Sequence, residues 1–199
     1  MTRARCGIIG FAVCLAAIIV AAPVLGHTET GGAGGFSSGF LHPVLGPDHV
    51  IAMIAVGLWG VFLGAPAIWV LPIVFPLIMA LGGAFGMIEV PLPAVETGIA
   101  LSAVVLGICV ALALKPPLWA AALIVGIFAV FHGYAHGTEM PVASDAVSYA
   151  LGFVVATGLL HLCGIAFGGL AKWPVGRIAV RTAGVLIAFA GGAFLTGMA

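Results

Sequence analysis

The stretch His42-Pro43-Val44-Leu45-Gly46-Pro47-Asp48-His49 opens an apolar run that continues to Leu63. A run of that length can cross a bilayer. Two imidazoles and a carboxylate are costly at the mouth of a membrane span, and ionisable groups placed there mark a path or a site. Pro43, Gly46 and Pro47 predict a bend, with a regular helix beginning near Pro47. A second polar cluster, Phe131-His132-Gly133-Tyr134-Ala135-His136-Gly137-Thr138-Glu139, closes a later apolar run. The two clusters are expected to meet at one face of the membrane and to bind a divalent metal there.

Composition agrees with a lipid environment. Of 199 residues, 63% are hydrophobic and 6% are charged, against about 25% charged in an average soluble domain. The expected fold is an all-α polytopic membrane protein, a six-transmembrane-helix bundle after an N-terminal signal peptide. Net charge is zero, which gives no reason to expect nucleic acid as a partner. No polar stretch is long enough to build a soluble domain. The cysteines stand at 6, 14, 109 and 163 with no CxxC pair, so a disulfide or thiolate framework is not expected. Cys6 and Cys14 lie in the leader, and Cys109 and Cys163 read as small packing residues.

Residues 1–26 have the pattern of a signal peptide: Arg3 and Arg5, an apolar core from Gly7 to Ala22, then Pro23 and the small Val24 and Gly26. Cleavage would leave His27 at the N-terminus, where it reads as a solvated tail residue; an uncleaved first span is the rival reading. Residues 27–39 are expected to be a flexible outer segment, Gly- and Ser-rich from 30 onward. Residues 40–199 form the transmembrane domain. Its spans are expected at about 40–63, 66–87, 92–114, 117–136, 144–170 and 176–198. Prolines punctuate their ends, and Pro72 and Pro76 bracket Phe75 within the second, which is expected to kink there. Gly82, Gly83 and Gly86, and Gly164 with Gly168, have spacings that let helices approach closely.

With residue 27 outside, the basic residues Lys115, Lys172, Arg177 and Arg181 fall in or beside cytoplasmic loops, as the positive-inside rule requires. Glu89, Glu139 and Asp145 fall outside. The same topology brings His42, Asp48, His49, Glu96, His132, His136 and Glu139 to one depth, from three helices. His132 and His136 are i and i+4 and share a helix face. Asp48 and Glu96 also suit the positive N-terminal end of a helix. Imidazole and carboxylate without thiolate suit Ni, Co, Zn, Fe or Mn and argue against Cu(I). Neutral imidazole is the ligand form, so binding is expected to weaken as pH falls through the histidine range. His161, with Thr157 one turn away, is the polar exception in the inner half. It reads either as a relay on an exit path or as a histidine hydrogen-bonded between helices.

His42-Pro43-x-x-Gly46-x-Asp48-His49 resembles the first-span signature of the HupE/UreJ family. Phe131-His132-Gly133-x-Ala135-x-Gly137-x-Glu139 is similar to that family's fourth-span signature, and the resemblance extends over essentially the whole chain. It implies a nickel permease of the bacterial inner membrane that serves hydrogenase or urease maturation and needs no ATPase partner. With the leader and the loop charges, an inner-membrane location puts the mature N-terminus of this multi-pass chain on the periplasmic side. His42, Asp48, His49, His132 and Glu139 carry over by motif. His136 lies within the second motif, and Phe75 and Glu96 have counterparts in the family's second and third spans. Ni²⁺ would be the transported substrate, with Co²⁺ as an alternative one, and no cofactor would be permanently bound. The expected partners are the ion, the bilayer, and a second copy or a nickel-delivery protein. Read from the ligand set alone, an intramembrane zinc hydrolase and a metal-binding accessory subunit of a maturation complex are the rivals. The preferred reading is not an enzyme.

Overall fold

The computed structural model describes residues 34–141 and 144–198. The expected leader and His27 lie outside them. Among the described residues all regular structure is helical: α1 Gly34–Leu45, α2 Pro47–Leu63, α3 Ala67–Met87, α4 Val95–Ala111, α5 Leu118–Thr138, α6 Ala146–Gly168, a 3₁₀ turn Gly169–Lys172, and α7 Pro174–Leu195. Four of these are long and apolar enough to cross a membrane: α3, α5, α6 with its 3₁₀ extension, and α7. The pair α1 and α2, bent by 80°, makes a fifth if it is one broken span. The third expected span, 92–114, corresponds to a helix of only 17 residues. Ala94 and Ala113, both with left-handed backbone, stand just outside its ends.

The bend expected near Pro47 is present. Gly46 is the extended residue before α2 and Pro47 occupies its first turn, where the missing N–H costs no helical bond. The flexible segment expected at 27–39 is helical from Gly34 onward. The reason is tertiary. Gly39 and Gly152 let α1 and α6 touch backbone to backbone, since a Cβ on either would overlap Tyr149 or Phe36 main chain. The glycines that suggested a linker are therefore packing residues.

Glycine contacts also join the other main helix pairs. Gly133 and Gly137 of α5 press on the Met79 and Gly83 carbonyls of α3, and Gly86 presses back on Tyr134. Gly57 and Gly164 bring α2 against α6, and Gly107 and Gly184 bring α4 against α7. In lipid, such close approach is what holds helices together. Trp69, Ile73 and Leu77 of α3 and Trp119, Leu123 and Ile127 of α5 are exposed at helical spacing, forming apolar outer faces suited to acyl chains. Arg181 donates from Nε to the Ala111 carbonyl at 2.6 Å, satisfying an orphan acceptor at the end of α4. At the start of α6 the Asp145 carboxylate accepts from the Ser148 backbone N–H at 2.8 Å, and that bond holds its pKa below the ordinary carboxylate range.

Candidate metal centre

The buried face of α5 runs Ala121, Val125, Ala129, His132, His136. Small residues on its lower part fit against α3, and the same face then presents two imidazoles. His42 comes from the last turn of α1 and His49 from the first turn of α2, so the break between them aims both rings at α5. The His42–His136, His49–His132 and His49–His136 ring centroids are 4.7, 4.7 and 4.9 Å apart. One donor nitrogen from each of His42, His49 and His136 lies within 4.8 Å of the others. Two nitrogens bound to one ion at about 2.1 Å can be no more than about 4.2 Å apart, so a small contraction would seat an ion.

The hydrogen bonds around these rings decide which lone pairs are free. Asp48 Oδ1 lies 2.9 Å from His49 Nδ1 and also accepts the His49 backbone N–H at 2.8 Å. A carboxylate only accepts, so Nδ1 carries the proton and Nε2 is the bare nitrogen. That Nε2 is buried with no hydrogen-bond partner. Ser102 donates its single hydroxyl proton to the Ile99 carbonyl at 2.6 Å. Its oxygen must therefore accept from His132 Nε2 at 2.9 Å, which leaves His132 Nδ1 bare, buried and unpartnered. His42 donates from Nε2 to Glu139 Oε2 at 3.0 Å. His136 has no partner on either nitrogen and stacks on Phe153 with centroids 5.2 Å apart and planes 6° apart. Buried polar atoms are nearly always paired, so several bare imidazole nitrogens in one place make a donor set that could hold a cation.

Gly46 serves the same arrangement. A Cβ there would stand 3.1 Å from Asp48 Oδ1 and 3.2 Å from His49 Nδ1, crowding the bond that fixes the His49 tautomer.

Six of the seven sequence candidates thus gather: His42, Asp48, His49, His132, His136 and Glu139. Glu96 does not join them. It is exposed in the first turn of α4. Asp48 and Glu139 touch the histidines at the nitrogens turned toward them, an orienting position familiar around metal-bound imidazole. Ser102 is the contributor the sequence did not select, because a serine 30 residues from its histidine carries no local signal. Phe75 is fully buried and contacts both His132 and His161, at 5.6 and 5.3 Å between centroids.

Removing the Ser102 hydroxyl should free the His132 ring to take either tautomer. Ser102→Ala is expected to lower the affinity for a divalent metal ion about tenfold or more, as loss of an orienting partner does at other metal sites. Equilibrium dialysis of the purified protein reads this directly, and an unchanged affinity would remove Ser102 from the site.

The HupE / UreJ protein family model matches residues 15–194. Protein HupE of Rhizobium leguminosarum bv. viciae is similar, with 44% identity over 179 residues, covering 89% of this chain and 94% of that protein. No solved structure matches.

Proposed function

Because the chain belongs to the HupE/UreJ family and is a multi-pass membrane protein, we propose that it is a secondary transporter carrying Ni²⁺ into the cytoplasm for hydrogenase or urease maturation. The observation that carries this reading is the set of bare, buried imidazole nitrogens on His49, His132 and His136. In this reading His42, His49, His132 and His136 hold the ion. Asp48 and Glu139 orient His49 and His42, and their two negative charges offset the ion's two positive ones, which makes its partial dehydration tolerable. Glu96, exposed at the start of α4, adds negative charge at the entrance without touching the ion.

The proposed topology has six spans, with α1–α2 as one broken span and α4 as the shortest. At 17 residues α4 is about 26 Å long, slightly less than a hydrocarbon core of about 30 Å, and local thinning of the bilayer accommodates it. Lys115, Lys172, Arg177 and Arg181 then face the cytoplasm, with the histidines at the periplasmic side of the inner membrane.

Uptake of radioactive nickel into proteoliposomes holding the purified protein is the test. Accumulation above empty liposomes, reduced by cobalt, is the expected result. Nickel binding without passage would sink the permease reading in favour of an accessory subunit. Firmly retained zinc without nickel binding would point to hydrolytic chemistry.

A further inference from the structure

His161 and Thr157 are both fully buried in α6. Neither His161 ring nitrogen has a hydrogen-bond partner, and the Thr157 hydroxyl has none. The two residues are i and i+4, so they present these atoms on one helix face. The outer cluster leans on the same helix at Phe153. His161 is eight residues further along, about 12 Å deeper by helical rise.

A third donor lies beside this place. In a continuous helix the Pro72 carbonyl would accept the N–H of residue 76, but Pro76 has none. The Pro72 carbonyl is thereby freed on the stretch of α3 whose Phe75 ring lies 5.3 Å from the His161 ring. Phe75, on the intervening turn of α3, is the ring that touches both His132 and His161. On the far side α2 closes the wall, with Gly57 pressed against the His161 carbonyl.

We propose that His161 and Thr157 form a second, inner station for the divalent ion, reached from the outer histidines past the Phe75 ring. This rests on the permease reading. Its donors are one imidazole, one hydroxyl and one freed carbonyl, a nitrogen and oxygen set that suits a borderline divalent ion. Unlike the outer cluster, this set includes no carboxylate. An ion that moves from two balancing charges to none is held less firmly at each step, and a transported ion must be able to leave. The strong site captures and the weak site releases.

The test compares nickel uptake by proteoliposomes with nickel binding by the same preparations in detergent. His161→Gln and Thr157→Val are expected to keep binding within about twofold, because the outer cluster is intact. Uptake should fall at least about tenfold for H161Q, since losing a donor costs no less than losing an orienting partner, and severalfold for T157V. A purely structural role is separated by His161→Cys. Its softer thiolate should make uptake more sensitive to cadmium than that of the unaltered protein, whereas a packing residue would leave the competition series unchanged. No uptake by the unaltered protein would overturn the permease reading and this inference with it. Uptake by the unaltered protein matched by both H161Q and T157V, or an unchanged cadmium response in an active H161C, would overturn the inner station alone. Should H161Q lose binding through misfolding, T157V decides, because it removes one hydroxyl and keeps the side-chain shape.

Discussion

Nickel uptake by a His136→Ala variant is expected to fall to the level of empty liposomes. His136 stands at the middle of the cluster, with its ring against both His42 and His49, and it belongs to the three-nitrogen group closest to ligand spacing. Both its nitrogens are unpartnered, so no hydrogen bond is broken by truncation. What the fold loses is stacking on Phe153 and some filled volume, a cost of about 1–3 kcal/mol. What the site loses is a central donor, so binding should weaken by more than about a hundredfold, beyond the range for orienting partners. Uptake and dialysis, set beside a melting curve in detergent, separate the two losses. Retention of more than a small fraction of uptake would mean that the ion does not use this ring.

Gly133→Val should be nearly as damaging, for a different reason. A Cβ at Gly133 would overlap the Met79 carbonyl, and backbone cannot swing aside as a side chain does. Helices α3 and α5 would separate at the turn that sets His132 against Phe75 and carries His136 one turn further on. Overpacking of this kind costs about 1–3 kcal/mol, and the displaced imidazoles should reduce uptake at least tenfold, roughly the loss that follows a misplacement of about 1 Å. Gly126, two turns earlier on α5, is the control. Its nearest neighbour to an added Cβ is an Ile78 side-chain carbon at 3.9 Å. Gly126→Ala should therefore stabilise the helix by up to about 1 kcal/mol and leave uptake unchanged. Opposite shifts in melting temperature are the expected pattern; equal behaviour of the two variants would discard the close-approach argument.

The contrast between these glycines shows where sequence reading succeeds and stops. Local rules identified the break at Gly46–Pro47, because proline has few places to sit in a helix, and placed His132 and His136 on one face, because the spacing is fixed by the turn. Hydropathy also gave the depth of each polar residue along its span. It could not give direction around the bundle. Glu96 has a suitable depth but is exposed in the first turn of α4, while Ser102, which no local pattern marks, faces His132. Residues 34–39 misled for a related reason: their glycines look like a linker until the partner helix that requires them is known. Phe75 was conspicuous between two prolines, but its position against two histidines is a tertiary fact.

The break between α1 and α2 also has a mechanical side. His42 is four residues from Gly46, about 6 Å along the helix, whereas α1 extends about 18 Å from the same point. Gly46 is then a fulcrum with a short arm and a long one. Drawing His42 inward by about 0.6 Å, enough to bring a donor from 4.8 Å to ligand distance, tips α1 by about 6° and carries its far end nearly 2 Å. That far end lies against α6 through Gly35, Gly39 and Gly152, and α6 is the helix that bears Thr157 and His161. In the proposed transport cycle the radius of the ion would be read as an angle, amplified about threefold by the unequal arms, and delivered as leverage to the helix that carries the inner station.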